Sequence, residues 1–132
     1  MKSYSVVLAL ALALVVACGQ LEASAVAEEA TRLESTVAEA TLLARGASEG
    51  RFTTAFVAAR AGELAEDSAG VRESLREEHV AAADQERARR LREVAGQVES
   101  GMRQLSERPG DELLAQRLAD ELAAVGPSLR AR

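Results

Sequence analysis

Aromatic side chains are nearly absent from this 132-residue chain, which has no Trp, one Tyr and two Phe. Any core must therefore be built from aliphatic side chains, and Ala, present 28 times, is the commonest of them. Ala is the best helix former but buries little apolar area. The only cysteine is Cys18, so no intrachain disulfide can form. The only histidine is His79, and its helical neighbours Leu75, Arg76, Ala82 and Ala83 carry no metal ligand, which argues against zinc. Asn is missing, so N-glycosylation is excluded. Asn and Ile are absent and Lys2 is the only Lys, a usage that fits a GC-rich gene. The 16 basic residues are outnumbered by 21 acidic ones, for a net charge of −5. An acidic domain argues against a nucleic-acid partner, because neutralising phosphates supplies most of that affinity.

The one long apolar stretch is Val6 to Ala17, made only of Val, Leu and Ala and preceded by Lys2. At 12 residues it is shorter than the roughly 20 a transmembrane helix needs. Its layout is that of a secretory signal. The stretch ends in Val15-Val16-Ala17-Cys18-Gly19, which resembles the lipobox of bacterial lipoproteins. The resemblance covers only the first 19 or so residues. It implies that the Cys18 thiol carries diacylglycerol, that residues 1–17 are removed, and that the new amino terminus is acylated. One acyl chain anchors reversibly, whereas two or three hold stably. By the same resemblance, Val15, Val16 and Ala17 guide processing. Gly19, which is not Asp, directs sorting to the outer membrane facing the periplasm if the host is Gram-negative.

The mature chain would be residues 18–132, with 15 Arg against 21 acidic residues. Its length suits one small domain. Turn residues are sparse and period-2 alternation is absent, which predicts an all-α fold. A helix over about 20–45 carries Val26, Ala30, Leu33, Val37, Ala40 and Ala44 in 4-3 steps, a heptad seam. Gly46 to Gly50 ends it; these two glycines match GxxxG in a polar connection and read as a linker. Thr53 caps a second helix over about 53–83, with Phe52 and Val57 as a hydrophobic staple. Its seam is Val57, Ala61, Leu64, Ser68, Val71 and Leu75, continuous through Gly70. The phase is then lost, and Asp84 is read as the cap of a third helix over about 84–107 carrying Leu91, Val94, Val98, Met102 and Leu105. Arg108-Pro109-Gly110 closes it. Asp111 caps a last helix over about 111–125, with Leu114, Leu118, Leu122 and Val125, ending at Gly126-Pro127. A small antiparallel three- or four-helix bundle is expected, with an elongated helical hairpin as the alternative.

No stretch of the sequence carries catalytic chemistry. Arg87, Arg89, Arg90 and Arg92 are interleaved with Asp84, Glu86 and Glu93, the pattern of a solvated helix face rather than a lipid patch. Glu73, Glu77 and Glu78 stand beside Arg72 and Arg76, and read as exposed helix carboxylates rather than an acid–base pair. The Ser and Thr residues lack a His–Asp partnership. A non-enzyme is therefore expected, without cofactor beyond the diacylglycerol and acyl chains on Cys18, and without metal. The expected partners are the membrane, through that anchor, and a protein partner or second copy. The leading expectation is a lipid-anchored envelope protein acting as a helical interaction module or adaptor. The alternatives are a bundle holding an apolar ligand or lipid, and a passive spacer resembling small heptad-bearing envelope lipoproteins. This chain ends Leu129-Arg130-Ala131-Arg132, without the C-terminal Lys by which some of those attach to peptidoglycan.

Overall fold

The computed structural model of the chain describes the backbone of residues 2–130 and the side chains of residues 23–130. It contains four α-helices, α1 (Lys2–Ser48), α2 (Thr54–Ser74), α3 (Gln85–Glu107) and α4 (Glu112–Arg130). No strand occurs among the described residues. The helices pack as an antiparallel bundle, not as an open hairpin. α1 meets α2 through Arg60 with Glu39 and Arg32 with Asp67. α2 meets α3 through Ser106 Oγ, which donates to the Ala58 carbonyl at 2.8 Å, and through Arg72 with Glu99. α4 returns along α1, where Arg130 meets Glu34 at 2.6 Å. In each pair, later residues of one helix meet earlier residues of the other.

Every member of the first two heptad seams is buried: Val26, Ala30, Leu33, Val37, Ala40 and Ala44 on α1, and Val57, Ala61, Leu64, Ser68, Val71 and Leu75 across α2 and its end. Ser68, fully buried, returns its hydroxyl to the Leu64 carbonyl at 2.8 Å, so it occupies a seam position without an unsatisfied donor. α3 contributes Leu91, Val98, Met102 and Leu105, and α4 contributes Leu114, Leu118 and Leu122, with Val94 and Val125 half-buried. The core holds no aromatic side chain among the described residues. Small residues let the helices approach closely. A Cβ at Gly101 of α3 would stand 2.8 Å from Leu118 Cδ2 of α4.

The helix ends follow local chemistry. α1 stops in a Schellman arrangement: the Arg51 amide donates to the Gly46 carbonyl at 2.9 Å, the Gly50 amide donates to Ala47 at 3.1 Å, and Gly50 has φ of 66°. Thr53 Oγ1 accepts from the Phe56 amide at 3.2 Å. Asp111 Oδ1 accepts from the Leu114 amide at 2.9 Å. Of the three expected caps, those at Thr53 and Asp111 are formed.

Four boundaries differ from expectation. α1 runs on through the start expected near Gln20 and extends to Ser48. α2 ends at Ser74, not near residue 83, and two short 3₁₀ turns, Glu77–His79 and Ala82–Asp84, lead to α3. The chain is drawn out of the helix by its neighbours. Arg92 Nη1 donates to the Leu75 carbonyl at 2.6 Å, and Gln85 Nε2 donates to the carbonyls of Val80 at 2.6 Å and Glu77 at 2.9 Å. These bonds satisfy carbonyls that a continued helix would have used. Asp84 occupies the cap position of α3, but its side chain makes no capping hydrogen bond. Finally, α4 continues through Gly126 and Pro127 to Arg130. Leu129 packs against the core and Arg130 reaches Glu34, so tertiary contacts hold the last turn despite the proline.

Candidate functional site

The lipobox-like residues Val15, Val16, Ala17, Cys18 and Gly19 lie outside the residues whose side chains are described. Among the described residues, no helix is long and apolar enough to cross a membrane, and no three His, Cys, Asp or Glu side chains gather as metal ligands.

The basic cluster of α3 is divided by its partners. Arg89 joins Glu86 at 2.8 Å and Glu93 at 2.5 Å, and Arg90 stands 3.7 Å from Glu86. Hydrogen bonding from Arg89, and then its charge, hold the Glu86 carboxyl below its ordinary range. The same contact raises Arg89 further above its ordinary value. Arg92 turns away to the end of α2, where its side chain is only 17% exposed. Arg87 lines a small cleft with Ser128 and Leu129 of α4. The four arginines therefore do not form one cationic patch.

Glu73 and Glu78 share Arg76, and Glu77 turns to Arg92. Glu73 meets Arg76 at 2.9 Å, Glu78 meets it at 3.0 Å, and Glu77 meets Arg92 at 3.4 Å. All three are exposed. His79 is exposed on the first 3₁₀ turn, and its backbone amide donates to the Arg76 carbonyl at 2.9 Å.

Among the described residues one charged side chain is buried, and sequence reasoning missed it. Glu99 on α3 is 7% exposed. Its Oε1 accepts from Arg103 at 2.8 Å, one turn on. Its Oε2 lies 3.0 Å from Arg72 Nη2 of α2, yet no donor points at it squarely enough to make a hydrogen bond. The ion pair is thus electrostatic more than directional. Arg72 and Arg103 are both half exposed, so water shares the load. The i,i+4 pairing of Glu99 with Arg103 was visible in sequence; its inward direction and Arg72 depend on the α2–α3 crossing.

Among the described residues, two of the clefts between helices contrast in chemistry. The α3–α4 groove, about 580 Å³, is lined by Gln97, Ser100, Gln104 and Arg117, with Gly96 and Gly101 opening its floor. The α1–α4 groove, about 310 Å³, is lined mainly by apolar groups of Val37, Ala38, Leu42, Leu122 and Ala123.

The remaining surface feature is apolar. Phe52 and Phe56, both missed as surface residues, stand at the α1–α2 turn, 42% and 50% exposed. Their ring centroids are 5.1 Å apart with planes inclined at 48°. The Phe52 ring lies over Gly46, and Val57, its expected staple partner, is buried in the core. Leu113, at the start of α4, is 85% exposed. A position read as a staple partner gave no sign that its ring would need a glycine one turn back in the preceding helix.

Comparison of the chain with protein-family models, with curated proteins and with solved structures found no match in any of the three.

Proposed function

We propose that the chain is a lipid-anchored helical protein of the bacterial cell envelope that works by protein–protein contact. The observation that carries this reading is Val15-Val16-Ala17-Cys18-Gly19 at the end of an apolar run, directly before a helical domain. In the reading, acyl chains on Cys18 tether the chain to a membrane, on the periplasmic side of the outer membrane in a Gram-negative host. The bundle then serves as the interaction module. The bundle buries its own heptad seams, so a partner helix or a second copy would have to use other surface.

The test is Cys18→Ser in the producing cell. The variant is expected to leave the membrane fraction or to accumulate at the mobility of the unprocessed chain. Unchanged partition together with unchanged mobility would refute the anchor. A second reading, a bundle that holds an apolar molecule, draws on the apolar groove between α1 and α4.

A further inference from the structure

Three of the four large apolar side chains that stand exposed among the described residues lie at one end of the bundle. They are Phe52, Phe56 and Leu113; the fourth, Leu42, lies along α1. The α1–α2 and α3–α4 turns meet at this end, where the Cβ position of Gly110 is 3.6 Å from Thr54 Cγ2. The two Phe are the only aromatic residues beyond Tyr4. A core filled with Ala, Val and Leu would gain from them, since burying a Phe stabilises by about 1.5–3 kcal/mol. Instead both are held outside and adjacent. Phe52 rests on Gly46, and the backbone between the rings is fixed by the turn at Gly50 and by the Thr53 cap. A preset aromatic pair loses little freedom when it enters a pocket.

We propose that this tip is the docking surface of the module, and that its occupant is another protein presenting an apolar pocket with a basic rim. The orientation rests on the lipid-anchor reading. α1 enters the bundle at Val26, its first buried residue among those described, beside the end of α2. From Val26 to Ser48 the helix rises about 33 Å. The tip thus lies at the far end of the bundle from the anchor.

Three features select this occupant. Copies tethered in one membrane point their tips the same way and cannot meet tip to tip. The exposed parts of the two rings and Leu113 amount to roughly 300 Å², less than half of the about 800 Å² per partner that a stable interface buries, so they can form only its apolar centre. That area suits an anchor inserted into a concave site. On the two turns at the tip Arg51 pairs with Glu49 and Arg108 with Asp111, which leaves Arg45 against Glu107 and Glu112. A weakly acidic rim disfavours anionic lipid headgroups and favours basic side chains.

The test places the photo-cross-linker benzoylphenylalanine at Leu113 in the full chain in its own cells, with Glu66 on the outer face of α2 as the control position. The expected result is one discrete protein adduct from position 113 and none from 66. The cross-linked peptide should map to an apolar pocket bordered by Arg or Lys. The adduct should fall about tenfold in Phe56→Ser, as loss of an interface anchor does. Because Phe56 contacts Phe52, the reciprocal pair guards against misfolding: benzoylphenylalanine at 56 with Leu113→Ser. Adducts to a second copy, adducts to lipid, no adduct, or an adduct indifferent to both substitutions would each overturn the proposal. Membrane partition is scored separately. A tip adduct from a chain found outside the membrane refutes the tether alone, and a membrane-bound chain without the adduct refutes the docking alone.

Discussion

Gly46→Ala should destabilise the bundle, although it puts the best helix former into a helix. Gly46 lies in the last turn of α1, where replacing Gly by Ala is worth about 0.5–1 kcal/mol in backbone entropy. Against that gain stands the ring of Phe52. An added Cβ would be 2.8 Å from Cδ2 and 2.9 Å from Cζ, and closer still to Cε2. The methyl and the ring cannot share the space. The ring must give way, because it is 42% exposed and can swing outward, whereas α1 is fixed on both sides. Its covered part, about 120 Å² of a typical Phe, represents at most about 3 kcal/mol at 25 cal/mol per Å². Some contact with Phe56 survives the swing. The net expectation is a loss of about 1–2 kcal/mol. In a Phe52→Ala background the clash is gone, and the same substitution should stabilise by about 0.5–1 kcal/mol. Urea unfolding followed by far-ultraviolet circular dichroism reads both, as midpoint shifts at constant slope. A midpoint that rises with Gly46→Ala in the parent, or that moves the same way in both backgrounds, would refute the packing of Phe52 on Gly46.

The buried carboxylate offers an asymmetric test. Glu99→Met should change stability by less than about 1 kcal/mol, because it removes a buried charge whose desolvation offsets its pairing. Arg72→Ala should cost about 1–2 kcal/mol, because it leaves that charge buried with Arg103 alone; the reverse order of the two in urea unfolding would contradict the arrangement. Glu86 should titrate below its ordinary 4.5, held down by the Arg89 hydrogen bond. Because the folded value is the lower one, the contribution of Glu86 to stability is present above pH 4.5 and fades as pH falls through the folded value. Carboxyl chemical shifts followed through an acid titration check this, and Arg89→Gln should return the midpoint towards 4.5.

The helical bundle was legible, though three helices could not be told from four, because heptad spacing reports directly on which residues meet inside. Val26 to Ala44 and Val57 to Leu75 are buried at every step, including Ser68, whose hydroxyl bonds back to its own helix. Thr53 and Asp111 were legible because capping is local: the donor lies three residues away. What was not legible depends on residues distant in sequence. The end of α2 at Ser74 is set by Arg92 and Gln85, which belong to α3 or its start. Pro127 is kept within α4 by contacts with the core and with Glu34, so a strong local stop signal lost to packing. The same holds for the surface features: the Phe pair and Glu99 acquire their meaning from Gly46 and Arg72, on neighbouring helices.

That contrast bears on the proposal that the bundle works by contact with a partner. Ten of the 25 buried apolar side chains are Ala, so each seam depends on close approach rather than on bulk. A surface built that way is used up by the bundle itself: once α1 lies on α4 and α2 on α3, their heptad positions are no longer offered to another helix. Apart from Leu42 and the α1–α4 groove it lines, the outer helix faces carry paired charges such as Arg60 with Glu63 and Arg89 with Glu93, each worth little and readily matched by water. If the bundle acts through a protein partner, as proposed, recognition would have to use apolar groups that folding did not need. Phe52 has one structural task, covering Gly46; Phe56 touches it from outside, and Leu113 is almost wholly in solvent. The less a side chain contributes to holding the bundle, the more its apolar surface is available to a partner, and by that ordering Leu113 and Phe56 lead Phe52.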